Sequence, residues 1–524
     1  MAATAKSAAG SSAATIVFDS AFESGNLAEA RLVSDAPLEY DLHIRPDTLN
    51  ERHRIWFFFT ARCTRPATRA LLHIVGYSKT KSLYREGMAP IVSSGSGWER
   101  MPPGSAYLYR SPRHGQKYVL SFPFTFDSPA TTYSFAYCYP YTYSYLQRFL
   151  HTLDAKGLPC YRRSLLTRTV QHRRLDLLTI SSPVNLAIDE AHARELAKGG
   201  GDVGGSAAAT AAPALVYLFV SARVHPGESP ASFLMHGLLR FLLSDDPAAR
   251  AIREVAVLKV VPMLNPDGVF LGNYRCNSLG LDLNRMWSAP TPWGAPTIEA
   301  VRRLAQAYTR RPGCDVRVFL DIHAHSTCMS GFVYANVPNE PRRMEQVAAF
   351  PRALGSHYKD LSFDRTKFCS DPTKSGTGRR AMGTMLPTVH CYTLEVSLFC
   401  AAGGGVGRGE AYSPSSYVEM GQAAGLALSD IAAPPPFGRP GPSGRPSVCQ
   451  AVASALDALS IAGCGNAPRA STGGPGPGGL FCGATDADAA SGSRSGRAAR
   501  GLVTGSGPAT ASTGAAGLLS PQTL

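Results

Sequence analysis

Between Arg162 and Ala432 continuous apolar runs alternate with segments of helical period, and no other feature of the sequence restricts the fold as strongly. Leu215–Val220, Val255–Pro262, Val316–Asp321 and Tyr392–Val396 are apolar over strand length without a polar face, as strands covered on both sides must be. Ser229–Leu243 places Phe233, Leu234, Gly237, Leu238 and Phe241 on one helical face, and Thr297–Ala307 reads as a second helix. Strands alternating with helices predict an α/β domain with a mixed, mostly parallel sheet over residues 161–432. The Gly/Ala-rich stretch between Leu196 and Pro213 reads as a flexible surface loop within it.

Residues 16–160 carry a different pattern. Short aromatic and β-branched runs (Arg54–Arg62, Ala70–Ser78, Lys117–Phe126, Thr132–Tyr143) are separated by turn residues, and a helical period enters only at Ser144–Leu153. This predicts an all-β sandwich domain ahead of the α/β domain. Residues 1–15 and 433–524 hold few large apolar side chains among Pro, Gly, Ala and Ser, so they cannot bury enough surface to offset ordering entropy and are expected to be disordered.

No apolar leader and no run of about eighteen apolar residues is present, which argues against a secretory signal and a membrane span. The 12 cysteines form no CxxC pair, which favours reduced thiols in a cytoplasmic setting. A net charge of +14 suits nucleic acid, an anionic membrane or an acidic protein. The absence of a dense Lys/Arg cluster with interleaved aromatics disfavours nucleic acid.

Polar groups follow the apolar strands: Arg223–Glu228 after the first, Met263–Gly268 after the second, Asp321–His325 after the third, and Glu395 within the fourth. In open α/β sheets such groups converge on one crevice outside the carboxyl ends of the strands. A catalytic zinc ion takes three protein ligands and keeps one open position. His225 and Glu228, spaced as HxxE on a Pro-Gly turn, offer two donors, and His323 offers a third for which His325 competes. Glu395 in an apolar strand is either a general base or a carboxylate paired with a nearby cation. On their own, Arg275 and Arg285 are indistinguishable from surface arginines.

HPGE (His225–Glu228), NPDGV (Asn265–Val269), GNYRCNSLGLDLNR (Gly272–Arg285), DIHAHS (Asp321–Ser326), SGTGRR (Ser375–Arg380) and CYTLEVS (Cys391–Ser397) occur in an order that resembles the cytosolic carboxypeptidases, a branch of the zinc carboxypeptidases. FESGNLAEA (Phe22–Ala30), KTKSLYREGMAP (Lys79–Pro90) and FAYCYPYTYSYLQ (Phe135–Gln147) resemble the β-sandwich domain of the same branch. The resemblance implies one Zn²⁺ held by His225, Glu228 and His323, with Glu395 as general base and acid and Arg275 as oxyanion stabiliser. Asn284 and Arg285 would hold the terminal carboxylate. Arg379 or Arg380, with Lys374 a weaker candidate, would read a glutamate side chain. The family's capping tyrosine is not assigned, since Tyr392 is near Glu395 but lies in its strand.

The implied activity is removal of C-terminal glutamates from polyglutamate chains, chiefly on tubulin and microtubules and on other acidic-tailed proteins. The implied location is the cytosol, with centriole, basal body or cilium as associated sites. Two other classes fit part of the sequence: an idle module that binds acidic tails, and a zinc amidohydrolase of acylated amino acids. The intact ligand and arginine set weighs against the first, the Asn284–Arg285 pair against the second.

Overall fold

The computed structural model describes residues 15–197, 215–338, 340–341, 343–386, 389–402 and 411–432. Apart from Thr15, the segments expected to be disordered, residues 1–15 and 433–524, and most of the Leu196–Pro213 loop lie outside these described residues.

The first domain is two five-stranded sheets packed face to face. One runs β1 (Ile16–Asp19), β4 (Phe58–Cys63), β10 (Tyr133–Ala136), β6 (Ile91–Ser93), β7 (Glu99–Arg100). The other runs β2 (Glu29–Asp35), β3 (Leu38–His43), β5 (Thr68–Val75), β9 (Lys117–Phe126), β8 (Tyr107–Ser111). Alternation along the strands turns Phe18, Phe59 and Phe135 of the first sheet toward Tyr40, Leu72 and Phe122 of the second, all buried. Ring centroids meet across the gap at 5.2 Å for Phe18–Tyr40 and 6.0 Å for Phe122–Phe135.

The second domain is built on an eight-stranded sheet. Its order is β11 (Tyr161–Arg168), β12 (Arg174–Ile180), β14 (Ala256–Val261), β13 (Leu215–Ala222), β15 (Cys314–His325), β18 (His390–Ser397), β16 (Phe332–Ala335), β17 (Lys367–Phe368). The four strands read from apolar runs form its parallel centre, β14-β13-β15-β18. The flanking β11, β12, β16 and β17 were not expected: polar residues interrupt the apolar run in β11 and β12, and β16 and β17 are only four and two residues long; three of the pairings they bring are antiparallel. β15 runs through His325, so His323 lies inside the strand and not in the turn after it.

Helices cover both faces. Helices α1 (Tyr143–Ala155), α2 (Pro183–Ala197), α3 (Pro230–Leu242), α4 (Pro247–Val255), α5 (Pro266–Leu271), α6 (Pro296–Arg310), α7 (Arg343–His357), α8 (Gly378–Met385) and α9 (Pro414–Ala432) follow in chain order. Leu218, Val220 and Leu320 belong to the apolar core shared with α3, α4, α7 and α9. Tyr217, Phe219 and Phe319 belong to the core shared with α6 and α8. Helices α3 and α9 approach so closely that a Cβ at Gly237 would meet the backbone of Val418, and one at Gly421 the backbone of Leu234.

Helix α1 touches both domains. Ser144 N–H donates to Glu23 Oε1 at 2.9 Å, while Gln147 Nε2 donates to Asp176 of β12 at 2.8 Å. The sandwich also grips the loop after β14: Ser24 Oγ donates to the Val269 carbonyl at 2.6 Å and Asn26 Nδ2 to that of Gly272 at 3.2 Å.

Candidate active site

The crossover from β13 to α3 carries His225-Pro226-Gly227-Glu228 on a turn. Buried Arg223, at φ 59°, holds that turn by donating from Nε to the Pro226 carbonyl at 2.8 Å and from Nη1 to Ser232 Oγ at 2.8 Å. Asn265 ties in the next loop, donating to the Val224 carbonyl at 3.2 Å. Gly227 has no alternative, since a Cβ there would lie 2.5 Å from the Tyr274 ring.

The donor atoms of His225, Glu228 and His323 all lie within 4.8 Å of one another, and all three residues are buried. His225 Nδ1 faces Glu228 Oε1 at 2.8 Å and His323 Nδ1 faces Oε2 at 3.1 Å. The far nitrogens face two other carboxylates: His225 Nε2 meets Asp282 at 3.2 Å, and His323 Nε2 meets Asp321 at 2.8 Å. Both Nδ1 atoms therefore point into one centre while both Nε2 atoms are oriented from outside, the arrangement that fixes the tautomer of metal-bound imidazoles. Two imidazoles and one carboxylate, with no fourth donor in the cluster among the described residues, fit a catalytic Zn²⁺ site. His325 is excluded from the cluster: its ring lies against Phe332 at 5.1 Å, and burial foremost lowers its pKa to about 3.

Charges alternate outward from this centre. Burial would raise the pKa of Glu228, but His225 and His323 hold it well below the carboxylate range. Burial opposes protonation of His323, yet Asp321 and Glu228 on its two nitrogens raise its pKa well above the ordinary value. Asp282 is pressed the other way: burial raises its pKa, and Arg275 and His225 override that, keeping it ionised. Arg275 Nε donates to Asp282 at 2.7 Å, which places the guanidinium beside the His225 ligand. Asp47 of the sandwich accepts the N–H groups of Tyr274, Arg275 and Cys276 at 2.6, 2.7 and 2.7 Å, holding the segment that carries Arg275.

Glu395 stands opposite His323 in the β15–β18 register and opposite Phe332 in the β18–β16 register. Its strand neighbours Leu394 and Val396 are fully buried, whereas Glu395 is partly exposed. Burial of the carboxyl raises its pKa to about 7, against the pull of His323. No cation pairs with it among the described residues, which removes the alternative of a structural ion pair. Tyr392 is on the other face of β18, its hydroxyl donating to the Val347 carbonyl at 2.9 Å under α7, so it cannot cap the site.

Asn284 and Arg285 sit on a short turn after Asp282. Asn284 Oδ1 accepts the Gly378 N–H at 3.0 Å, and Arg285, its side chain 41 % exposed, donates from Nη1 to the Asn284 carbonyl at 3.0 Å and pairs loosely with Asp282 at 3.9 Å. A Cβ at Gly376 would lie 2.6 Å from the Arg285 carbonyl, so a glycine there lets the SGTGRR segment reach this turn.

The two arginines of that segment diverge. Arg379 is buried, its Nη1 donating to the carbonyls of Ala335 at 3.1 Å and Cys369 at 3.0 Å and to Asn336, with its guanidinium 5.7 Å from the Tyr334 ring. Arg380 turns to the Ser370 carbonyl at 3.3 Å, and Lys374 is partly exposed on the turn before α8. Lys367 had not been singled out: its Nζ lies 4.0 Å from the centre of the Phe332 ring and 5.6 Å from that of Tyr334, both on β16, the strand neighbouring β18. The signals missed in the sequence were thus Asp282, Asp321, Arg223, Asp47 and Lys367. The first three flank motif residues and were legible there; Asp47 and Lys367 were not.

The zinc carboxypeptidase family model matches residues 147–385. Cytosolic carboxypeptidase 6 of Homo sapiens is 44% identical over 410 residues, covering 78% of this chain and 76% of that protein. The Caenorhabditis elegans protein of the same name is 41% identical over 421 residues, covering 78% of this chain and 85% of that one. A solved metallo-carboxypeptidase from Burkholderia cenocepacia superposes with a TM-score of 0.63 at 22% identity, over 80% of this chain and 99% of that one. That last likeness is one of fold.

Proposed function

This chain belongs to the cytosolic carboxypeptidase branch of the zinc carboxypeptidases, and on that premise we propose that it is a deglutamylase, releasing C-terminal glutamates from polyglutamate chains on tubulin and other acidic-tailed proteins of the cytosol. The observation that carries the glutamate preference is the pair of cations on the aromatic side chains of β16, Lys367 on Phe332 and Arg379 on Tyr334, without a carboxylate partner among the described residues, on the strand whose Phe332 stands opposite Glu395. A glutamate side chain supplies the missing charge.

His225, Glu228 and His323 would hold a zinc ion, which would supply Lewis acidity and lower the pKa of the attacking water. Arg285 forks onto the terminal α-carboxylate with Asn284 Nδ2 beside it, which restricts cleavage to the chain end. Glu395, close to neutrality in pKa, accepts a proton from the attacking water and delivers it to the departing amine. Arg275, kept charged and aimed by Asp282, faces the negative charge that develops on the carbonyl oxygen. This complete set favours turnover over an idle acidic-tail binder.

The test is amino-acid analysis of products from a peptide ending in several glutamates, with the zinc-loaded chain. Stepwise release of free glutamate is expected. Release of other C-terminal residues with glutamate left in place would defeat the specificity while leaving the carboxypeptidase.

A further inference from the structure

Lys79 belongs to the sandwich domain, on the turn after β5, yet its ammonium reaches the second domain. Nζ donates to Ser326 Oγ at 2.5 Å and to the Tyr274 hydroxyl at 3.4 Å, and lies 5.7 Å from the Tyr274 ring centre. Both partners abut the zinc site. Ser326 follows the end of β15, three residues beyond His323, and Tyr274 precedes Arg275 with its ring against Gly227, between two of the candidate ligands. Lys79 is partly buried, and no carboxylate pairs with it among the described residues. Its hydrogen-bond partners are hydroxyls, so the ammonium gains no counter-charge from them, and an incoming carboxylate would supply one.

The groups assigned to the C-terminal residue lie on the Asp282–Arg285 turn and the SGTGRR segment, and Lys79 bonds to neither. It stands on the flank formed by Tyr274 and Ser326, away from those groups, and with the terminal residue held there the chain ahead of the scissile bond is taken to run along this flank. We propose that Lys79 is a specificity-determining residue that binds the side-chain carboxylate of the residue preceding the scissile bond. The sandwich domain then supplies part of the substrate site, and an acidic chain is read at two successive positions. This rests on the deglutamylase reading for the identity of the terminal residue only.

The experiment uses the zinc-loaded full chain and two peptides identical except for Glu or Gln before the terminal glutamate. A charge-assisted hydrogen bond corresponds to about a tenfold preference or more. The wild type is expected to favour the Glu peptide in kcat/KM by about that factor, Lys79→Gln to bring the ratio close to one, and Lys79→Arg to retain it. Zinc content and thermal midpoint show that each variant is folded. A ratio unmoved in Lys79→Gln, even with a lower rate on both peptides, overturns the proposal and makes Lys79 a domain brace. Should the wild type release some other terminal residue, the deglutamylase reading fails, and the same Glu/Gln pair with that residue at the terminus still tests Lys79.

Discussion

Asp321→Asn isolates the outer support of the metal centre. Asp321 is wholly buried, one oxygen accepting the Ser221 hydroxyl at 2.8 Å and the other facing His323 Nε2 at 2.8 Å. Asparagine keeps the shape and one acceptor but removes the charge that makes the imidazole a stronger donor to metal. Loss of such a partner weakens metal binding roughly 10- to 100-fold, or about 1.4 to 2.7 kcal/mol. A second effect works against the first. In the metal-free protein Asp321 and Glu228 hold a proton on His323, so metal must displace it and affinity rises with pH. Removing one carboxylate weakens that competition. The loss should therefore be largest at alkaline pH, where no proton competes, and smallest at acid pH. Chelator competition across pH 6 to about 9 measures it. An affinity within twofold of wild type at the alkaline end would refute the support role, and an unchanged pH slope would refute the proton competition.

Glu395→Gln should bind zinc normally but lose roughly 10²- to 10⁴-fold in turnover, the usual share of a general acid–base group, measured as kcat beside metal content. Folding raises the pKa of Glu395 from 4.5 to about 7, so its contribution to stability is fully present below 4.5 and lost as pH rises through 7. Metal-free Glu395→Gln should thus match wild type near pH 4 and exceed it at pH 8 by up to about 3 kcal/mol in denaturant melts; equal stability at both pH values would contradict the burial of this carboxyl. Arg275→Ala should keep zinc and lose about 10²- to 10³-fold in kcat, with KM moving less; a change confined to KM would place the guanidinium on the substrate's ground state. Gly376→Ala forces a Cβ to 2.6 Å from the Arg285 carbonyl, so KM should rise several-fold with zinc affinity unchanged, and an unaltered KM would show that this loop yields freely.

The parallel centre of the sheet was legible because strands covered on both faces must be apolar throughout, and β13, β14, β15 and β18 are. The metal triad was legible for a related reason. Its members sit at strand ends of one sheet, and topology brings such ends together whatever the separation in sequence. The edge strands β11 and β17 and the inner β12 and β16 stayed hidden, since their pairing depends on neighbours that a linear pattern does not record. So, from the residues alone, did the choice of His323 over His325: two apart in β15 they share a side of the strand, and only their position along it separates them, His323 facing Glu228 while His325 lies on Phe332. Asp47 and Lys79 show the limit most clearly. Each lies some two hundred residues from the groups it holds, in a domain with no catalytic pattern of its own. Local sequence carries the chemistry of a side chain and the period of its element, but the partner of a charge is set by where two domains meet, and only the packed structure decides that.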